Sequence, residues 1–137
     1  MGPYVISDPS LLESLPGKDA VVPDSDKASG VQCVGLVKAY TSAGATAHWN
    51  AGEKVISTPA LKSGTAIATF NPQGKYESHK HGNHACFFIR FVTGGFFVLE
   101  QHVMPNKNKI QTRLIRSRGK EKAGSASDNA DAYAVIK

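Results

Sequence analysis

The sequence has little cysteine, a shortage of acid and no long apolar run, and each shortage excludes something. Two cysteines, Cys33 and Cys86, in 137 residues are too few for a scaffold held by several disulfides, as small secreted domains are. The longest apolar stretch, Ala85 to Val92, is interrupted by Arg90. It is less than half of the ~20 residues that a membrane-crossing helix needs. Met1-Gly2-Pro3-Tyr4 carries neither a basic n-region nor an apolar h-region, so no secretory signal is read there. What is present excludes general disorder: apolar residues make up 41% and charged residues 20%, enough to bury a core. The length suits one domain, taken as residues 1–137. Thirteen glycines and seven prolines require many turns and favour a sheet-containing domain over a helical bundle.

Acid is outnumbered by base, 11 Asp and Glu against 16 Lys and Arg, for a net charge of +5. This biases the chain toward anionic partners such as nucleic acid, an acidic membrane or a wall polymer. The bases concentrate between Lys107 and Lys122, with Arg113, Arg116, Arg118 and Lys120 close together. A solvated strand edge and loop explains them more simply than a binding patch. Phe87, Phe96 and Phe97 lie in strand-like runs and read as core rather than as stacking platforms for bases. Neither nucleic acid nor membrane is therefore assigned as a partner.

Residues 1–28, with Pro3, Pro9, Pro16 and Pro23, read as an irregular lead-in with one helical turn at Ser10 to Ser14. Ser29-Gly30-Val31-Gln32 has the spacing of a capping box. Val34, Leu36, Val37 and Tyr40 then recur with helical period before Ser42-Ala43-Gly44. A helix is expected at about 30–42. Residues 44–63 read as a loop with another short helix. Strands are expected at Thr65–Phe70, His84–Val92, Phe96–Gln101, Ile110–Ile115 and Ala132–Ile136, with a hairpin turn at Thr93-Gly94-Gly95. Residues 120–130 read as a polar loop. The sum is an α+β domain, a leading helix packed on an antiparallel sheet of about five strands.

Chemistry can be placed on few residues. Cys33 falls in the first turn of the expected helix, where the positive end of the macrodipole favours thiolate, the nucleophilic form. The competing reading is a small buried hydrophobe. Among five histidines, His79, His81 and His84 crowd together, a spacing that also suits a zinc site. Lys80 and Gly82 make the first two look like loop residues, with only Glu77 near to complete a set. His84 opens the strongest strand, where it can serve a thiol as general base. A Cys–His pair needs a third group to orient the imidazole, and the partner strand supplies Glu100 and Gln101. Parity separates them. An even number of unpaired residues in the turn puts Gln101 on the face of His84, and an odd number puts Glu100 there. Cys86, among Phe87, Phe88 and Ile89, reads as a buried, inert thiol. Trp49 reads as packing, with His48 and Trp49 as the alternative lining of a cleft.

The segments Gly30-Val31-Gln32-Cys33-Val34-Gly35-Leu36-Val37, Gly64-Thr65-Ala66-Ile67-Ala68-Thr69-Phe70, Gly82-Asn83-His84-Ala85-Cys86-Phe87-Phe88 and Val98-Leu99-Glu100-Gln101 resemble the papain-like NlpC/P60 and CHAP peptidoglycan amidases. More narrowly, the chain resembles the amidase effectors of bacterial type VI secretion, most of all their third family. The likeness runs from about Ser29 to Arg116. It implies a papain-like fold and a cysteine endopeptidase that cuts the peptide cross-links of Gram-negative peptidoglycan, between diaminopimelate and D-alanine. On this chain it implies Cys33 as nucleophile, His84 as base, Glu100 or Gln101 as third member, and no cofactor or metal. It further implies a chain made in the cytoplasm and delivered by the type VI secretion apparatus to a recipient's periplasm. A cognate immunity protein that plugs the cleft is the other implied partner. Cys86 departs from the family, whose members more often carry a small residue there. The rival readings are a non-catalytic basic module that binds an anionic polymer, a zinc hydrolase built on His79, His81 and His84, and an inactive papain-like scaffold.

Overall fold

The computed structural model describes residues 3–77, 83–104, 106–118 and 126–137. Two helices are present among them, α1 (Leu11–Ser14) and α2 (Cys33–Tyr40), with six strands: β1 (Ala51–Lys54), β2 (Ala66–Thr69), β3 (Ala85–Val92), β4 (Gly95–Gln101), β5 (Ile110–Arg116) and β6 (Tyr133–Ile136). The strands form one antiparallel sheet in the order β1-β6-β2-β3-β4-β5. The expected α+β class is what forms, with one strand more than the sequence suggested. The extra strand is β1, in the stretch read as loop and short helix; only two 3-10 turns, Thr46–His48 and Val55–Ser57, are helical there. Its Ala51-Gly52-Glu53-Lys54 carries no apolar alternation, so nothing local marks it. It is made a strand by pairing with β6.

Helix α2 is shorter than the expected span, because the capping box does not form. Gly30 adopts a left-handed φ of 75°, which no helix continues. The N-cap is Gln32, in extended conformation, so Cys33 is the first helical residue. The helix lies across one face of the sheet, where Val34, Leu36 and Val37 join Ala66, Ala68, Ala85, Phe87, Leu99 and Ile110 in one core. Alanines at 66, 68 and 85 keep that face low beneath a helix. A second core fills the opposite face with Val55, Ile67, Cys86, Phe88, Phe96, Val98, Ile115, Ala130 and Tyr133.

The lead-in has little regular structure but is tied down along its length. Val5 bridges Thr65, and Asp19 bridges Lys109. Gly17 donates to the Ile110 carbonyl, and Ile110 donates back to Lys18. The half-buried pair Lys38–Asp26, at 3.0 Å, joins the last turn of α2 to the same segment.

The β3–β4 hairpin turns through two residues, Thr93 and Gly94, with Val92 opposite Gly95. Close to the turn Arg90 faces Phe97, but farther along Phe88 faces Val98 and Phe87 faces Leu99. One strand therefore carries an extra residue, Ile89, and this bulge changes which side chains share a face. At the tight end, a Cβ on Gly95 would run into the carbonyl oxygen of Ile115 and the backbone of Arg116. Gly95→Ala is expected to cost about 3 kcal/mol, read as a lower urea midpoint; an unchanged midpoint would show that β5 moves aside freely.

Candidate active site

The bulge decides the parity left open by the sequence. The two-residue turn alone would set Gln101 on the side of His84; Ile89 supplies the odd residue and sets Glu100 there instead. His84 precedes β3 by one residue, its backbone exchanging hydrogen bonds with Thr69 (N to Oγ1, 3.0 Å; O from Thr69 N, 3.0 Å). Its Nε2 meets Oε1 of Glu100 at 2.8 Å, both side chains nearly sealed from solvent. On the other side the imidazole neighbours the Cys33 thiol at the start of α2, and each shifts the ionisation of the other. With Nε2 engaged by the carboxylate, Nδ1 is the ring nitrogen left for sulfur.

Glu100 is fully buried. Besides His84 it accepts from Gln111 Nε2 at 2.7 Å, from Arg113 Nε at 2.7 Å and from Arg113 Nη2 at 3.0 Å. Arg113 is held in turn by Asp128 (Nη1 to Oδ1, 2.8 Å) and by the Ser127 carbonyl. That carbonyl also accepts from the Tyr133 hydroxyl at 2.7 Å. The result is a continuous line of charge, Asp128–Arg113–Glu100–His84, ending at the thiol.

This line controls ionisation. Burial works against the Glu100 carboxylate, but the hydrogen bonds of His84 and Arg113 and their charges outweigh it and hold its pKa at about 2. Burial likewise disfavours the His84 imidazolium, yet hydrogen bonds to Cys33 and Glu100, with their negative charge, raise its pKa to about 9. For Cys33 burial opposes the thiolate, and the hydrogen bond and charge of His84 overcome it. The Tyr76 hydroxyl and the backbone N–H of Ala85 help, so the thiol lies below its ordinary value. A thiolate beside an imidazolium is the state these interactions favour. Cys86 is the contrast: fully buried, with its thiol pushed well up by desolvation and then by the charge of Glu100.

Gln101 points to the opposite face and does different work. Its Nε2 donates to the Gln32 carbonyl at 2.7 Å and to the Val21 carbonyl at 2.9 Å, while Val21 N–H donates to its Oε1 at 2.8 Å. The Gln32 carbonyl belongs to the same planar peptide group as the Cys33 N–H. Holding one end fixes the direction of the other.

Residues 17–136 match the family model of domesticated amidase effector 2. The chain belongs to the domesticated amidase effector 2 family. It is similar to the type VI secretion amidase effector 2 protein of Salmonella typhi, at 31% identity over 98% of this chain and 98% of that protein. It is also similar to a solved structure, type 6 secretion amidase effector 2, with a TM-score of 0.76 and 29% identity over 99% of this chain and 95% of that one. The resemblance to type VI amidase effectors is borne out, and with it the α+β papain-like class; the group matched is the one numbered two, where the sequence suggested the third. An amidase effector family hydrolyses amide bonds, so this is a family of hydrolases.

The other sequence readings meet the structure unevenly. Trp49 is packing: buried, with Nε1 donating to the Ala43 and Gly44 carbonyls at 3.2 Å. His48 is exposed in the same loop. His79, His81 and Lys120 lie outside the described residues, among which no group of three His, Cys, Asp or Glu side chains is placed to hold a metal. Arg113, read as part of a solvated edge, is instead the partner of Glu100. Tyr76, whose hydroxyl lies 3.7 Å from the Cys33 sulfur, and Asn83, which donates to that hydroxyl at 3.0 Å, were missed. Tyr76 stands in no motif or expected strand, and Asn83 stands beside His84 in the segment from Gly82 to Phe88 without a role of its own.

The same pKa shifts set a pH window for stability. His84, raised from 6.5 to about 9, stabilises the fold fully below pH 6.5 and stops doing so as pH rises through 9. Glu100, lowered from 4.5 to about 2, stabilises fully above pH 4.5 and stops as pH falls toward 2. Urea midpoints are expected to climb between about pH 2 and 4.5, a limb that should flatten in Glu100→Gln; above pH 6.5 the loss from His84 is opposed by Cys33, whose lowered thiol gives up its proton more readily in the folded chain than in the unfolded one. An acid limb as steep in Glu100→Gln as in wild type would contradict the assignment.

Proposed function

We propose that this chain is a cysteine amidase of peptidoglycan, a toxin that cuts peptide cross-links of the Gram-negative wall. The observation that carries this reading is the line Cys33–His84–Glu100 at the N-terminus of α2. The matched relatives, named as type VI secretion amidase effectors, point to the same class of reaction. The bond proposed is the one between diaminopimelate and D-alanine.

The residues account for each step of acyl transfer. The Cys33 thiolate attacks the amide carbonyl; an S–C bond forms and the carbonyl pair moves to oxygen. The Cys33 N–H, first in its helix and so without an acceptor in the preceding turn, is available to that oxyanion. As the intermediate collapses the C–N bond breaks, and the His84 imidazolium gives its proton to the departing amine. Neutral His84 then takes a proton from water, whose oxygen attacks the thioester and frees the acid and Cys33. Glu100 holds the ring and stabilises the imidazolium. No step calls for a cofactor. Delivery by the type VI apparatus to a recipient's periplasm, and a cognate immunity protein that covers the site, belong to the same proposal. The rival reading of a basic binding module is weakened where it was strongest, since Arg113 is committed to Glu100 and Asp128.

Purified Gram-negative sacculi digested with wild type, with Cys33→Ala, and with wild type plus a chelator supply the direct test. Cross-linked muropeptide dimers should fall to monomers in the first and third samples and persist in the second, and product masses name the bond. Loss of activity with the chelator would favour a metal hydrolase, and dimers persisting in all three would refute this substrate. Glu100→Ala is expected to lower kcat by roughly 10²–10⁴-fold. Gln101→Ala should lower kcat far less and reduce thermal stability more. The reverse order would exchange their roles.

A further inference from the structure

Tyr76 stands outside the line of charge just described, yet its hydroxyl is 3.7 Å from the Cys33 sulfur. The ring is almost fully buried. It is held between Trp49, with centroids 5.2 Å apart, and Phe70, 6.4 Å away edge-on. Trp49 is itself fixed by its two hydrogen bonds to the Ala43 and Gly44 carbonyls. A phenol so enclosed is aimed, and aromatic packing alone would not need its oxygen.

The two neighbours on the oxygen suit a hydrogen pointed at sulfur. Asn83 Nδ2 donates to the Tyr76 oxygen at 3.0 Å, and an amide nitrogen can only donate. The phenol therefore uses a lone pair toward Asn83 and keeps its proton for another acceptor. The Cys33 sulfur, 3.7 Å away, carries no proton as thiolate and can only accept it. Burial, followed by the charge of Cys33, pushes the Tyr76 pKa far above its ordinary value, so the hydroxyl remains a donor over the working pH range and never competes as a base.

We infer that Tyr76 is a further catalytic residue, whose hydroxyl, oriented by Asn83, donates to the Cys33 thiolate in the resting enzyme and to the substrate oxyanion during attack. The inference rests on the Cys33–His84 reading above. The geometry suits both roles because the developing oxyanion is one carbon away from the sulfur. As the S–C bond forms, negative charge leaves sulfur for oxygen, and a donor already beside the sulfur follows it with a small rotation about its C–O bond. No proton is transferred by Tyr76. Paired with the Cys33 N–H it completes a two-donor arrangement, one from backbone and one from side chain, the kind that acyl transfer relies on.

Tyr76→Phe removes one oxygen and keeps the packing. Three proteins, wild type, Tyr76→Phe and Cys33→Ala, are compared on soluble cross-linked muropeptides for kcat and KM. Wild type and Tyr76→Phe are also compared for the pH dependence of alkylation by iodoacetamide, with the reactivity of Cys33 followed by mass. Tyr76→Phe is expected to lower kcat by about 100-fold with little change in KM. It should also move the alkylation midpoint of Cys33 upward by about one pH unit, the effect of one lost hydrogen bond to a charged acceptor. Asn83→Ala, which frees the phenol to turn away, is expected to reproduce part of both effects. A wild-type kcat and an unmoved alkylation profile in Tyr76→Phe, or a raised KM at constant kcat, overturn the inference. Full activity in Cys33→Ala overturns instead the reading it rests on, whatever Tyr76→Phe does. Circular dichroism and melting of each variant separate these results from misfolding.

Discussion

A single buried carboxylate organises this molecule. Glu100 sits near the end of β4 with no exposure to water, where an unpartnered charge would cost several kcal/mol. Its four hydrogen bonds, from His84, Gln111 and two nitrogens of Arg113, make that burial tolerable. They also transmit it. A carboxylate that stays ionised holds a protonated imidazole beside it, and that imidazolium lowers the thiol at the head of α2. Two strands and the approach to a third contribute to the arrangement, β4 with Glu100, β5 with Gln111 and Arg113, and the residue leading into β3 with His84.

The placement of that carboxylate rests on one extra residue. Ile89 shifts the register of β3 against β4 by one, so Glu100 and Gln101, neighbours in sequence, are sent to opposite faces with opposite tasks. Glu100 meets the imidazole. Gln101 meets the backbone just before Cys33, binding the lead-in at Val21 and the peptide group of Gln32 together. The bulge thus serves two contacts, the Glu100–His84 pair on one face and the backbone just before Cys33 on the other.

The lead-in and the aromatic cluster give the site its rigidity. Residues 17–21 run beside the start of β5 through backbone hydrogen bonds, and Lys38–Asp26 secures the far end of α2. On the other side Trp49 and Phe70 pack around Tyr76, whose hydroxyl approaches the sulfur. The match over residues 17–136 to an amidase effector family agrees with this division: it spans the lead-in strap, the helix and the whole sheet.

Much of this was legible in the amino-acid order. Apolar period together with cap, stop and turn residues marked α2 and five of the six strands, because those segments bury one face or both and their residues repeat accordingly. The pairing of Cys33 with His84 followed from helix polarity and the position of His84 ahead of the strongest strand. The spacing of residues 84, 100 and 101 narrowed the third member to two. Other features depended on contacts distant in sequence and left no local trace. Strand β1 exists because β6 offers it an edge. Helix α2 begins at Cys33 rather than Gly30 because the chain turns through a left-handed glycine to bring Gln32 to Gln101. Arg113 looked like one more surface base, and only the approach of β5 to β4 made it the counter-ion of Glu100. Tyr76 carries no motif, since a phenol gains its chemistry from what stands 3.7 Å away. Period and polarity are properties of neighbours along the chain, and the sequence by itself determines them. Which of two adjacent polar residues faces an imidazole is decided by a bulge, and only the folded sheet contains it.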